Sequence, residues 1–227
     1  MRLIEHPSPN REPRPEGAAP DMLLLHYTGM KSGPEALARL SDPEAKVSAH
    51  YLIEEDGRVF ALVPEEERAW HAGLAFWAGE SDINSRSIGI ELVNPGHEFG
   101  YRPFPGAQIE SLIQLAQAIL SRHAIPAWRV LGHSDVAPLR KEDPGELFPW
   151  KTLAQAGIGL WSEAEKKDTR PLPQLLAALG YGYLRDDETA VIRAFQRHWL
   201  PEKLTGRLDE ESKRRAAALL ALIEAGA

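Results

Sequence analysis

The chain of 227 residues contains no cysteine. This absence excludes a disulfide framework, a thiolate metal site and a cysteine nucleophile. Any metal ion must therefore be held by histidines and carboxylates, and the sequence has eight histidines. A basic excess is also missing, since 26 lysines and arginines stand against 33 acidic residues and give a net charge of −7. This acidic balance argues against a nucleic-acid-binding protein, which normally carries a basic face.

Long apolar runs are missing as well. No stretch approaches the roughly 20 apolar residues of a membrane span, and the first residues, from Met1 to Pro7, lack the apolar segment of a signal peptide. The sequence as it stands therefore predicts a cytoplasmic protein without a membrane span, or a periplasmic one if a leader has been removed. Apolar residues still make up 43% of the chain, which is enough for a folded core.

Composition divides the chain into four segments. Residues 1–20 contain five prolines and few apolar residues, which is typical of an extended arm. Residues 21–161 mix short apolar strands with helical patterns, and residues 162–172 form a polar linker. Three helical patterns over residues 173–227 predict a small bundle near the lower size limit for independent stability. The predicted fold class is α/β, with a mixed central β-sheet flanked by helices and followed by a small three-helix domain.

Several elements of the main segment have specific signals. The run Met22–Thr28 predicts a buried strand, and Glu55-Asp56-Gly57 between two apolar runs predicts a β-hairpin. Residues 87–93 alternate with a period of two, so that Ile88, Ile90 and Leu92 share one face of a strand. Apolar residues repeat with helical spacing over residues 107–123, which predicts an amphipathic helix.

Three residues have the chemistry of a catalytic zinc site, which uses three protein ligands and leaves a fourth position for water. His26 ends the first apolar strand, and His133 and Asp143 lie in the loop over residues 132–149. The residues also permit an ordinary interpretation. A histidine at a strand end is often a satisfied, half-buried side chain, and Asp143-Pro144-Gly145 by itself is a common turn.

Other residues are further candidates for the site. Glu91 lies in mid-strand between apolar neighbours, so it is either an exposed carboxylate on an edge strand or a general base whose pKa is raised by partial burial. Lys141 precedes Asp143 by two residues, so in an extended segment both side chains project to the same side. The aromatic segment around Trp70 and His71 can line a carbohydrate or peptide groove, or simply pack.

Six motifs follow one another along residues 20–160. They are Leu25-His26-Tyr27-Thr28, Ser48-Ala49-His50-Tyr51, Trp70-His71-Ala72-Gly73, Asn84-Ser85-Arg86-Ser87-Ile88-Gly89-Ile90-Glu91-Leu92, Gly132-His133-Ser134-Asp135 and Lys141-Glu142-Asp143-Pro144-Gly145. Together they resemble the zinc-dependent N-acetylmuramoyl-L-alanine amidases of the amidase-2 type, and the AmiD branch in particular. Phage lysozymes and peptidoglycan recognition proteins belong to the same superfamily.

The resemblance implies a role for each candidate. Zn²⁺ is held by His26, His133 and Asp143, Glu91 is the base, and Lys141 faces the developing oxyanion. The phage branch has a catalytic tyrosine where this chain has Ala49, and its absence is expected if Glu91 performs that function. The motifs also place four residues at the substrate: His50, Trp70, His71 and Asn84.

The implied reaction is hydrolysis of the amide bond between the lactyl group of N-acetylmuramic acid, or its 1,6-anhydro form, and L-alanine. The substrate is then peptidoglycan or its muropeptide fragments, during cell-wall turnover or recycling. The tail is similar to the small peptidoglycan-binding domain of the AmiD branch. Two alternatives stay open: a recognition module that binds without cutting, and a zinc peptidase of the stem peptide. The chain has no His-Glu-x-x-His motif, which weighs against the commonest peptidase site.

Overall fold

The computed structural model describes residues 2–226. Its strands are β1 (Leu3–Glu5), β2 (Arg11–Pro13), β3 (Met22–Tyr27), β4 (Tyr51–Ile53), β5 (Val59–Ala61), β6 (Glu67–Ala69), β7 (Ser87–Leu92) and β8 (Val130–Gly132). Its helices are α1 (Gly33–Ser41), α2 (Ile83–Arg86), α3 (Gly96–Phe99), α4 (Gly106–Arg122), α5 (His133–Val136), α6 (Trp150–Gln155), α7 (Leu172–Leu179), α8 (Glu188–Trp199) and α9 (Glu210–Glu224).

Six strands form one sheet in the order β1-β5-β4-β7-β3-β8. The central strands β4, β7, β3 and β8 run parallel, while β4 and β5 pair antiparallel across the predicted Asp-Gly turn. The run Met-Leu-Leu-Leu of β3 is apolar on both faces because a central parallel strand is covered by helices on both sides. The predicted mixed sheet flanked by helices is therefore confirmed.

Alternate residues of β3 face two different helical layers. Leu23 and Leu25 pack with the apolar face of α4, which also covers the face of β7 that the alternating pattern predicts. Met22 and Leu24 instead belong to a cluster that contains the apolar residues of α7, α8 and α9. The three predicted C-terminal helices are thus present, and their apolar residues belong to the same cluster as one face of β3.

The N-terminal residues are more than the extended arm that the sequence predicts. β1 pairs in parallel with β5 at the edge of the main sheet, and β2 pairs antiparallel with β6. Between these strands Ser8 and Asn10 are buried, and their side chains bind main-chain groups from other parts of the fold. The segment is extended because it forms edge strands whose backbone groups need partners.

Local signals set the ends of the C-terminal helices. The Asp187 carboxylate accepts from the Ala190 N–H at the start of α8, and the Asp209 carboxylate accepts from the Ser212 N–H at the start of α9. Such N-caps satisfy donors that the helix itself leaves free. Across residues 2–226, no helix has both the length and the apolar character that a membrane span requires.

Candidate metal centre and active site

Four functional side chains meet at the carboxyl ends of parallel strands. His26 on β3 is in register with Glu91 on β7, and His133 directly follows β8. Parallel strands bring their carboxyl ends to one edge of a sheet, where open α/β folds place their ligand sites. Asp143 reaches the same edge from the loop after α5, where its carbonyl accepts from the Ser134 N–H at 2.9 Å.

The three candidate metal ligands converge closely. His26 Nδ1 lies 3.0 Å from His133 Nδ1 and 3.1 Å from Asp143 Oδ2, and His133 Nδ1 lies 3.0 Å from the same oxygen. None of the three residues is more than 5% exposed. Two imidazole nitrogens and one carboxylate oxygen are the kind of donor set that a catalytic zinc site uses. The cluster has the composition and spacing to bind a metal ion.

The hydrogen-bond partner of His133 tests whether these donors fit a cation. His133 Nε2 lies 3.0 Å from the carbonyl oxygen of Ala72, which can only accept. Nε2 therefore carries the hydrogen, and in a neutral ring Nδ1 is left with a lone pair. That lone pair points at the Asp143 carboxylate, so two electron-rich atoms face each other at 3.0 Å. A cation shared between them removes this repulsion, so the residues fit a metal ion.

The electrostatics of the ligands also favour metal binding at neutral pH. Burial, followed by the neighbouring His133, lowers the pKa of His26 to about 4. Imidazole without an added proton and ionised carboxylate are the forms that coordinate a metal.

Glu91 is half-buried at the same edge of the sheet. Its Oε2 is buried and has no hydrogen-bond partner within residues 2–226. Burial, followed by repulsion from Asp143, raises the pKa of Glu91 well above its ordinary value, while Lys141 acts in the opposite direction. The exposed edge-strand interpretation is wrong, because β7 lies between β4 and β3 at the centre of the sheet.

A cavity of 430 Å³ opens over these groups. Glu91, Lys141 and Asp143 border it, together with His133 and residues of α1. The expectation that Lys141 and Asp143 project into one space agrees with this arrangement. The cavity is therefore bordered by two of the three candidate metal ligands, His133 and Asp143, by a carboxylate with a free oxygen and by an ammonium group.

Two of the four predicted substrate residues lie away from this cavity because their side chains face the interior. His50 is fully buried, with Nδ1 accepting from the Gly89 N–H at 2.9 Å and Nε2 donating to the Glu67 carbonyl at 3.1 Å. Asn84 is also buried, and its Oδ1 accepts from the N–H groups of His71 and Ala72. Both side chains therefore hydrogen-bond to the main chain inside the fold, and the predicted contact with substrate is not supported by their position.

The other two predicted substrate residues are adjacent in sequence but lie in different surroundings. The indole Nε1 of Trp70 donates to Glu12 at 3.2 Å, so the ring contacts the N-terminal segment. His71 borders the cavity, although its ring is buried against β7. His71 Nδ1 lies 3.0 Å from His26 Nε2, and His71 Nε2 lies 3.2 Å from the Ser87 hydroxyl.

The sequence did not predict the groups that bind residues 132–149, the metal-ligand loop that contains His133 and Asp143. The carbonyl of Ala72 accepts from both His133 and the Arg140 guanidinium, which also donates to the carbonyl of Leu74. A main-chain carbonyl has no residue-type signature, so the sequence could not have identified this role for Ala72. Arg140 lies one residue before Lys141, and its charge was the one available signal.

Comparison with known proteins identifies relatives of this chain. The profile of the amidase-2 family, described as N-acetylmuramoyl-L-alanine amidase, matches residues 16–146. N-acetylmuramoyl-L-alanine amidase AmiD of Escherichia coli is 40% identical over 88% of this chain and 82% of its own. The 1,6-anhydro-N-acetylmuramyl-L-alanine amidase AmpD of Enterobacter cloacae is 37% identical over 63% of this chain and 84% of its own.

Solved structures with the same fold include complexes with ligands. One is AmiD from Escherichia coli with the substrate anhydro-N-acetylmuramic acid-L-Ala-D-γ-Glu-L-Lys, at a TM-score of 0.79 and 39% identity, with 92% of each chain covered. Another is AmpDh3 from Pseudomonas aeruginosa with an anhydromuramic pentapeptide, at a TM-score of 0.82 and 34% identity, covering 94% of this chain and 96% of that one. Both alignments extend over nearly the whole fold.

Proposed function

Because the chain belongs to the amidase-2 family of N-acetylmuramoyl-L-alanine amidases, we propose that it hydrolyses the amide bond between the lactyl group of muramic acid and L-alanine. The observation that carries this proposal is the cluster of His26, His133 and Asp143, two of which border a cavity that the Glu91 carboxylate also borders. Anhydro-muropeptides from cell-wall turnover are the proposed substrates, because structures of the relatives AmiD and AmpDh3 hold anhydromuramic ligands.

The proposed cofactor is Zn²⁺, with His26, His133 and Asp143 as its protein ligands. A zinc ion at this position would lower the pKa of water and polarise the substrate carbonyl. Two neutral imidazoles and one carboxylate leave the site with a net positive charge when zinc is bound, which suits the stabilisation of an anionic transition state. The buried environment strengthens each of these electrostatic interactions.

Glu91 is the proposed proton carrier. Its free oxygen can accept a proton from the attacking water and deliver it to the departing amine of L-alanine. Lys141 borders the same cavity, and its ammonium group is proposed to stabilise the negative charge that develops on the carbonyl oxygen. The two groups thereby divide proton transfer and charge stabilisation between them.

Digestion of purified muropeptides tests this function. Normal and 1,6-anhydro muropeptides are incubated with the protein, with and without a chelator, and the products are analysed by mass spectrometry. We expect free stem peptide with an intact N-terminal L-alanine, formed faster from the anhydro substrate and abolished by the chelator. Re-addition of Zn²⁺ should restore the reaction.

The same experiment separates the alternatives. Cleavage inside the stem peptide would identify a peptidase, and binding of muropeptide without any product would identify a recognition module. The second outcome is disfavoured by the presence of the complete ligand set together with Glu91 and Lys141. Glycan binding by the C-terminal helices and the cellular location stay predictions.

A further inference from the structure

A chain of hydrogen bonds runs behind the metal-ligand cluster. His26 Nε2 lies 3.0 Å from His71 Nδ1, His71 Nε2 lies 3.2 Å from Ser87 Oγ, and Ser87 Oγ lies 2.7 Å from the carbonyl oxygen of Ile83. All four residues are buried. This series of hydrogen bonds therefore connects one candidate metal ligand to a main-chain acceptor through two side chains.

The Ile83 carbonyl at the end of the series fixes which atom donates in each hydrogen bond. The Ile83 carbonyl can only accept, so the Ser87 hydroxyl donates to it and presents a lone pair to His71. His71 then carries its hydrogen on Nε2, which leaves Nδ1 free to accept from His26 Nε2–H. In a neutral His26 ring the lone pair is consequently on Nδ1, the atom that faces His133 and Asp143.

The surroundings of His71 hold its ring in place for this contact. A Cβ atom on Gly89 would lie 2.6 Å from Cγ of His71, so the ring packs where β7 has no side chain. The Asn84 amide oxygen accepts from the N–H groups of His71 and Ala72, at 3.1 and 2.8 Å. The carbonyl of Ala72 in turn accepts from His133 Nε2. One two-residue segment therefore contacts both imidazole ligands.

We propose that His71 is a positioning residue for the metal site, and that with Ser87 it selects the tautomer of His26 in which Nδ1 offers its lone pair to the metal. This inference rests on the proposed metal site. Partners of metal-bound histidines commonly have such a role, and their loss costs about 10- to 100-fold in metal affinity. His71 also borders the cavity, so contact with substrate is the competing role that the experiment must exclude.

Four variants separate the two roles. His71→Leu removes the acceptor, and His71→Asn keeps a side-chain oxygen able to accept from His26. Ser87→Ala removes one buried oxygen and leaves the histidines in place. His123→Gln is the matched control, because His123 pairs with Glu65 at 2.7 Å and, within residues 2–226, has no hydrogen bond to any of the three metal-ligand candidates.

Two readouts are independent of turnover. The dissociation constant for Zn²⁺ is measured by competition with a chromogenic chelator, and the tautomer of His26 in the metal-free protein is read from ¹⁵N chemical shifts at neutral pH. We expect zinc affinity to fall about 10- to 100-fold in His71→Leu and by a smaller factor in Ser87→Ala. His71→Asn should recover most of the affinity, and His123→Gln should match the wild type. The wild-type protein should have the hydrogen of His26 on Nε2.

The outcomes distinguish this inference from the proposed function. If the wild type binds Zn²⁺ but His71→Leu and Ser87→Ala bind it equally well, the positioning role is wrong. A wild-type His26 with its hydrogen on Nδ1 would also contradict it. If the zinc-loaded variants show only a raised KM with unchanged zinc affinity, His71 contacts substrate instead. If the wild type itself fails to bind Zn²⁺, the proposed metal site is wrong. Ser87→Ala decides the question if His71→Leu does not fold.

Discussion

Glu91 carries a carboxylate on a central strand whose other side chains are apolar or small. A buried polar atom without a partner costs free energy, so Oε2 of Glu91 marks a site kept for chemistry rather than for stability. We expect Glu91→Gln to reduce kcat by about 10²- to 10⁴-fold, the usual contribution of a general acid–base group. The folded protein should be about as stable as the wild type, since the amide has the shape of the carboxyl group it replaces.

Two measurements check this expectation: steady-state kinetics with an anhydro-muropeptide as substrate, and metal analysis of the purified variant. The Glu91→Gln protein should retain its full content of Zn²⁺, in contrast to His133→Ala, which should lose it. Turnover at the wild-type rate with normal zinc content would show that another group transfers the proton.

Buried neutral histidines should make stability depend on pH. Burial, followed by the nearby Arg14, lowers the pKa of His50 to about 3. In the unfolded chain the pKa is about 6.5, so below that pH the unfolded state binds a proton that the folded state does not, and stability falls as the pH decreases. At pH 5 the loss from one such histidine is about 2 kcal/mol relative to pH 7.

Urea denaturation of the wild type and of His50→Asn at pH 7 and pH 5 measures this contribution. The asparagine oxygen can still accept from the Gly89 N–H but does not titrate. The difference in unfolding free energy between the two pH values should be about 2 kcal/mol smaller in the variant. An equal difference in both proteins would place the titrating groups elsewhere.

Residue types allowed the metal ligands to be proposed but not the groups that support them. His26 lies more than a hundred residues before His133 and Asp143, so no spacing rule connects the three ligands. It was the order of the six motifs that indicated a common site. His50 and Asn84 lie in those motifs as well, yet their side chains face the interior. A motif shows that a segment lies near the site, whereas only the fold shows which way each of its side chains faces.

Among the elements, the N-terminal strands depend on an anchor that is not a strand residue. The Arg14 guanidinium donates to the carbonyls of Glu65, Asn84, Ser85 and Ser87, at distances of 2.9 to 3.1 Å. Arg14→Ala would leave these half-buried acceptors without their donor, so we expect a loss of about 2–4 kcal/mol in unfolding free energy.

Urea denaturation at neutral pH measures this loss, with Arg11→Ala on the same segment as the control. Arg11 forms an exposed salt bridge with Glu67, which is typically worth about 0–1 kcal/mol. Equal, small effects of the two substitutions would show that the N-terminal segment contributes little to the fold.

Elements with strong local patterns were predicted closely. The amphipathic helix α4 and the hairpin between β4 and β5 have a periodicity or a turn signal within a few residues. The strands β1 and β2 have only three residues each, and β2 ends at Pro13. They pair with β5 and β6, which come later in the sequence. Partners that are distant in sequence leave no local pattern, so the segment was predicted as an extended arm only.

For the whole molecule, the sequence indicated two separate domains because a polar linker precedes three short helices. The structure instead places Leu24 of β3 and Phe195 of α8 in one apolar cluster. Hydrophobic periodicity identifies the face of a helix that is buried but not the surface that covers it. The boundary in composition therefore does not correspond to a boundary in the core.

A buried polar contact links the C-terminal helices to the metal-ligand loop. The Asp135 carboxylate, two residues after His133, accepts from the Tyr181 hydroxyl at 2.6 Å, from His198 Nδ1 at 2.7 Å and from the Gly132 N–H at 2.8 Å. Two of these donors come from the C-terminal helical segment. The conformation of the loop that carries His133 therefore depends on helices that do not border the cavity themselves.

Tyr181→Phe tests this dependence, since it removes one hydroxyl and keeps the ring contacts with Trp77 and Phe195. We expect the unfolding free energy to fall by about 1–3 kcal/mol, because the buried Asp135 carboxylate loses a donor. Thermal unfolding should remain a single transition that shifts as a whole, since the core is shared, and zinc affinity should fall with it. Tyr183→Phe is the control, because Tyr183 packs edge-on against Phe76 and belongs to no contact of Asp135. Two separate transitions, with zinc affinity unchanged, would mean that the C-terminal helices fold as an independent unit.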